Sequence, residues 1–272
     1  MALSDRLKLK IRESARPLVP EFVKPLIRDL LRPTYRGAQE YAFDRSRSVE
    51  SDIQEKYGFS GDLLQIFVNN KDNVVHKWHH YLPIYDRYFS PFRGKKIRFL
   101  EIGVSLGGSL QMWRKYLGDD AIIFGIDNNE VCRKYDGQVA QVRIGSQDDP
   151  AFLRDVVDEM GGVDVVLDDG SHQMQHIRAS LEYLFPRLSE GGIYMIEDLH
   201  TAYWEYYRGG YSAPDNFFRY VGELMHDMHQ WYHEEGQKHP AASTGCSGIH
   251  VHDSIVVLEK TKVFPPVHSI IE

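Results

Sequence analysis

From Ile97 onward, short apolar runs alternate with longer amphipathic stretches, the pattern of a mostly parallel sheet whose strands are joined by crossover helices. The apolar runs predict strands at 97–102, 121–126, 139–144, 163–168 and 192–197. The amphipathic stretches predict helices at 107–117, 129–135, 148–160 and 173–188, each opened or closed by Gly, Asp, Ser or Pro. That alternation describes a doubly wound α/β domain. The stretch IHVHDSIVVLEK (249–260) reads as an antiparallel hairpin added at one edge. Residues 1–96 are expected to form a mainly helical N-terminal extension. The domain is expected to occupy 97–272, with a polar, aromatic-rich insertion at about 203–240.

Composition narrows the class. With 272 residues, 42% of them hydrophobic and 26% charged, the chain suits one full-size α/β domain with additions at its ends. Cys132 and Cys246 make no bridge framework or zinc knuckle, so a reducing, cytoplasmic setting is expected. Runs such as VDVVL and SIVVL are strand-sized, far short of the roughly 20 residues that span a bilayer. No apolar stretch followed by a small-residue cleavage site opens the chain, so no secretory signal is expected.

A net charge of −7 argues against nucleic-acid binding, which needs a basic face. The charge is uneven, because residues 1–36 hold nine Lys or Arg against four Asp or Glu, interleaved with apolar residues from Leu7 to Leu31. Pro17, Pro20 and Pro25 break any long amphipathic helix there, which favours a solvated extension packed on its own domain. Contact with an anionic membrane surface or a partner subunit is the alternative.

Candidate chemistry begins at FLEIGVSLGGS (99–109). A strand carrying Glu101 is followed by Gly103, Gly107 and Gly108, which let the backbone turn sharply and approach a ligand at the carboxyl ends of the strands. The spacing is not G-x-G-x-x-G. A carboxylate beside the turn repels a pyrophosphate but pairs with the cationic amino group of an amino-acid-bearing nucleoside, which points to S-adenosylmethionine. Ser109 belongs to the same turn, and Asp127, ending the next strand, is placed to accept from a ribose diol. Ser146 and Gln147 follow the third strand and are placed to reach the adenine edge, while Asp168 is a further candidate to face the cofactor.

A second cluster refines this. DDGSH (168–172) and EDLH (197–200) each follow an apolar strand, and one crossover helix separates them, so the strands should be adjacent and parallel. Asp169, Glu197 and Asp198 would then converge and require a neutralising cation, Mg²⁺ before Mn²⁺ or Ca²⁺. His172 would sit beside that ion as the general base that methyl transfer to an alcohol needs. Simple capping of the next helix by Asp169 and His172 accounts for one carboxylate but not for Glu197 and Asp198.

At these residues the sequence resembles the metal-dependent sugar O-methyltransferases of the macrolide type, macrocin and mycinamicin enzymes and rhamnosyl methyltransferases among them. The matching stretches are FLEIGVSLGGSLQMW, FGID, VVLDDGSHQMQH, LFPRLSEGGIYMIEDLHTAYW and DSIVVLEK, covering most of residues 97–260. The resemblance implies a class I methyltransferase fold, metal ligands at Asp169, Glu197 and Asp198, a base at His172 and a sugar hydroxyl as acceptor. HKWHHYLPIYDRYF (76–89) is similar to a family segment in which Tyr81 would help close the site. The family's macrolide members carry a larger N-terminal domain than residues 1–96 supply. A homo-oligomer is expected.

His200, Tyr203 and Trp204 are acceptor candidates, since an aromatic run follows the second acidic motif and aromatic faces suit sugar CH surfaces. His226, His229 and His233 have helical spacing, but in the i, i+4 pair His229 and His233 no acid follows the first histidine, so a solvated or interface face is expected rather than zinc. The expected function is S-adenosylmethionine- and metal-dependent O-methylation of a sugar in a glycoside, glycolipid or polysaccharide. The rivals are methylation of a phenol or catechol, and a non-catalytic cofactor-binding assembly protein.

Overall fold

The computed structural model describes residues 41–44 and 46–271. The basic segment 1–36, with its expected membrane or subunit contact, lies outside the described residues. A seven-stranded sheet has the order β3-β2-β1-β4-β5-β7-β6. Its strands are β1 (Arg98–Ile102), β2 (Ile122–Asp127), β3 (Gln141–Ile144), β4 (Val163–Asp168), β5 (Leu188–Ile196), β6 (Cys246–His252) and β7 (Ile255–Lys260). The first five are parallel, and β7 runs antiparallel to both β5 and β6. Strand order reverses at β1, which lies between β2 and β4, so the crevice opens at the carboxyl ends of these strands.

Two helical layers cover the sheet. Helices α1 (Val49–Tyr57), α2 (Asp62–Val68), α3 (Tyr81–Phe89) and α4 (Gly108–Leu117) lie on one face. Their Ile53, Leu64, Tyr85, Phe89 and Trp113 pack with Phe99, Val165 and Met195 of the sheet. Over its described part, the expected N-terminal extension is therefore one layer of the domain's own core. On the other face, α5 (Pro150–Met160), α6 (Met174–Leu184) and α7 (Phe217–Met228) pack on Leu100, Phe124 and Val166. A short α8 (Pro240–Ser243) precedes β6.

Three local expectations are revised. Residues 130–135 form a 3-10 helix, its first turn held by the Asn129 side chain accepting from the Val131 amide. The helix expected at 173–188 ends at Leu184, because Pro186 follows and Leu188 already begins β5. The insertion is not wholly polar: Phe217, Tyr220, Val221 and Leu224 form an apolar stripe at helical spacing that α7 buries in the second layer. Among the described residues no helix is long and apolar enough to cross a membrane.

Candidate active site

A cavity of about 320 Å³ lies at the switch point, lined by the β1–α4 turn, Asp127, Ser146, Gln147 and the 169–172 loop. Gly103 has φ +99°, and a Cβ there would lie 2.1 Å from the Asp169 carbonyl oxygen. Glycine is thus what lets the β1 turn pass directly over the end of β4. Gly108 admits a second close approach, since its Cβ would stand 2.3 Å from the Val74 carbonyl oxygen. Residues 74–77 consequently form part of the cavity wall.

Glu101 is fully buried, and its Oε1 accepts from the Ser109 hydroxyl and, at 3.2 Å, from Trp113 Nε1. Its Oε2 is buried without a partner. Burial raises the carboxyl to about 7, against the opposing charge of Lys77. A buried carboxylate oxygen lacking a partner is costly unless a ligand supplies a donor. The orphaned oxygen and the glycine cradle therefore fit a cofactor that carries an ammonium group. Asp127 lines the cavity and accepts from the Ser105 amide at 2.9 Å and the Asn129 amide at 2.8 Å.

Two cofactor candidates are placed as braces. Asp168 is 1% exposed and accepts from Ser180 at 2.7 Å, Tyr194 at 3.0 Å and Gln147 at 3.1 Å. It is not among the residues that line the cavity, and it ties α6 and β5 to the end of β4. Gln147 lines the cavity, but its amide nitrogen is committed to Asp168 and its oxygen to the Ser171 amide, at 2.7 Å. Ser146 also lines the cavity, and its hydroxyl donates to Asp148.

At the cavity's edge, Asp169, His172 and Asp198 each present a ligand atom, all within 4.8 Å of one another. His172 Nε2 is 3.8 Å from Asp169 Oδ1 and 3.7 Å from Asp198 Oδ2. Burial opposes the charge of Asp198, but the His172 and His200 imidazoles and the Tyr81 hydroxyl hold its carboxyl below the usual range. His172 and Asp198 adopt φ +54° and +55°, as does Ser105 at +49°. Such backbone is unfavourable for residues with side chains and is characteristic of functional sites. Two hard carboxylate oxygens suit a divalent cation, with the His172 imidazole standing beside it. Glu197, 1% exposed, lies deeper and faces the Lys77 ammonium with both oxygens, at 2.9 and 3.1 Å.

The acceptor candidates divide. Tyr81 is fully buried and donates to Asp198 Oδ1 at 2.8 Å, so it positions that carboxylate. His200 Nδ1 pairs with the Ser254 hydroxyl at 2.6 Å, and its ring meets Trp78 and Trp204 edge-on. Tyr203 stacks on Phe218 and Tyr211. Tyr207, a member of the aromatic run that follows the second acidic motif, lies edge-on to His172 at 5.9 Å. Lys77 was missed by the sequence reading; only its place inside the segment 76–89 hinted at it. The histidines near α7 bond to the backbone, His229 to the Met225 carbonyl and His233 to the His226 carbonyl, and form no metal group among the described residues.

Residues 100–199 match a family described as a methyltransferase domain. Over 196 residues the chain is 35% identical to 8-demethyl-8-alpha-L-rhamnosyl tetracenomycin-C 2'-O-methyltransferase of Streptomyces olivaceus, covering 68% of this chain and 51% of that protein. Over 199 residues it is 33% identical to demethylmacrocin O-methyltransferase of Streptomyces fradiae, covering 68% and 50%. A solved structure of MycE, from the mycinamycin biosynthetic pathway, in complex with Mg, SAH and mycinamycin VI, superposes with TM-score 0.63 at 26% identity. That match covers 90% of this chain and 62% of MycE. The chain spans about half the length of the two sequence relatives.

Proposed function

We propose, on the premise that this chain has the class I methyltransferase fold and is a homologue of sugar O-methyltransferases, that it methylates a sugar hydroxyl using S-adenosylmethionine and a divalent cation. The observation that carries the reading is the convergence of Asp169, His172 and Asp198 within 4.8 Å at the edge of the glycine-lined cavity. The Mg and SAH bound by MycE, and the glycosylated acceptors named for the relatives, support it.

In this reading Gly103 and Gly108 let the backbone close on the cofactor, Glu101 Oε2 takes its ammonium and Asp127 takes its ribose. Ser109 orients Glu101, while Ser146 and the backbone near Gln147 border the adenine. Asp169 and Asp198 hold the cation, with Glu197 as the third carboxylate behind them. When bound, the cation would supply electrostatic stabilisation to oxygen charge developing on the acceptor. His172 Nε2 would take the proton of the acceptor hydroxyl, and the cofactor, when bound, would supply the sulfonium methyl and leave as the neutral thioether. Tyr81 keeps Asp198 oriented, and His200, Trp204 and Tyr207 border the acceptor. Because sulfonium charge is lost as the new bond forms, alignment and exclusion of water dominate the rate.

The test is transfer of labelled methyl from S-adenosylmethionine to a panel of glycosides, with catechols in competition and with chelator added. Chelator-sensitive labelling of a glycoside is the expected outcome. Labelling of catechols alone would move the acceptor to phenols, and labelling that survives chelation would remove the metal from the reading.

A further inference from the structure

The carboxylate cluster already contains a cation. Lys77 reaches it from the segment before α3, with its side chain 2% exposed and Nζ 2.6 Å from Asp169 Oδ2 and 2.9 Å from Glu197 Oε2. A buried ammonium is tolerated only when paired in this way. The segment that delivers it is fixed on α4. The Asn73 amide donates to Gln111 at 2.8 Å, Lys115 pairs with Asp72, and the Val74 carbonyl rests where Gly108 has no side chain.

The oxygens of the cluster are thereby divided. Asp169 gives Oδ2 to Lys77 and turns Oδ1 toward His172, while Asp198 gives Oδ1 to Tyr81 and turns Oδ2 toward His172. Both oxygens of Glu197 are taken by Lys77. Counted as formal charges, three carboxylates and one ammonium sum to −3 + 1 = −2, the charge that a single divalent ion neutralises. Resting on the reading that these carboxylates take such an ion, we infer that Lys77 is a positioning residue and resident counter-cation that competes with the metal for Asp169 and Glu197. It holds Glu197 back and keeps metal affinity low enough for the ion to exchange. Two cations cannot fully use the same oxygens, because their mutual repulsion at a few ångströms offsets what each gains.

Mn²⁺ titration, read by loss of the free-ion EPR signal, tests this on the wild-type chain, K77M, K77R and K77M/E197Q. K77M, with a site charge of −3, should bind Mn²⁺ at least about tenfold more tightly, and K77R should stay within about threefold of wild type. K77M/E197Q, again at −2, should return to the wild-type range. Equal or weaker binding by K77M, or a double variant as tight as K77M, overturns the inference. If K77M does not fold in chelator, Mn²⁺ should restore its folding by replacing the missing ammonium, and failure to do so overturns the inference equally. A wild-type chain that binds Mn²⁺ but methylates no glycoside sinks the proposed function alone. Equal Mn²⁺ affinity in wild type and K77M sinks only the role of Lys77.

Discussion

Gly103→Ala isolates the geometry on which both halves of the site depend. The residue has φ +99°, outside the left-handed well that alanine tolerates, and its new Cβ would lie 2.1 Å from the Asp169 carbonyl oxygen and 2.7 Å from the carbonyl carbon. Ordinary contact begins at 3.4 Å, so the 169–170 backbone must retreat by about 3.4 − 2.1 = 1.3 Å. That movement breaks the bond from the Asp169 amide to the Ile102 carbonyl, now 2.9 Å. Backbone strain of about 2 kcal/mol and a lost hydrogen bond of about 1 kcal/mol give a destabilisation of about 3 kcal/mol. For a chain of this size that is a fall in Tm of roughly 6–12 °C. Gly94→Ala is the control, since φ is +64° there and nothing lies within 4 Å of the added carbon. It should cost about 1 kcal/mol from conformation alone. Urea unfolding measures both variants, and Mn²⁺ binding and turnover report the displacement of Asp169, for which a loss on the order of 100-fold in rate is expected. Equal stability losses in the two variants, or normal metal binding and turnover in Gly103→Ala, would refute the reasoning.

Replacing His172 by Asn, which tolerates the residue's φ of +54°, should lower turnover about 10²- to 10⁴-fold while cofactor affinity stays unchanged; isothermal titration with steady-state kinetics separates the two effects. Glu101→Gln should weaken binding of S-adenosylhomocysteine but not of methylthioadenosine, which lacks the amino-acid portion, and an equal loss for both would reject the ammonium contact. The same variant tests the pH dependence of stability. Glu101 is raised from 4.5 to about 7, so its neutral form is favoured in the folded state. The associated stability is fully present below about pH 4.5 and is lost as pH rises through 7, by an order-of-magnitude total of about 3 kcal/mol. Glu101→Gln should therefore gain on wild type across that window, and urea unfolding at several pH values shows whether it does. Asp127→Ala removes the acceptor for the Ser105 and Asn129 amides and should lower cofactor affinity on the order of 10- to 100-fold, with Mn²⁺ binding by Asp169 and Asp198, a group to which Asp127 does not belong, intact.

The alternation of apolar runs and amphipathic stretches was enough to place the five parallel strands, the edge hairpin and the glycine turn, because these depend on periodicity and on residues only a few positions apart. It also brought Asp169 and Asp198 together, since one crossover makes β4 and β5 neighbours and sets their carboxyl ends side by side. Local patterning was likewise present for α7, where an apolar stripe lay under a polar and aromatic composition. What depended on partners far along the chain was decided only by tertiary packing. Asp168 and Asp169 are adjacent in sequence, but successive positions leaving a strand point to opposite sides, so one is buried under Ser180 and Tyr194 while the other reaches the site. Lys77 meets Asp169 and Glu197 across 92 and 120 residues, a pairing that no spacing rule contains. The sequence by itself determined a crevice that suits an amino-acid-bearing nucleoside and an acidic cluster beside it. The charge of that cluster, and which of its oxygens remain for a metal, were decided by the fold, because electrostatic balance in a buried site depends on every ion within a few ångströms, wherever it stands in the chain.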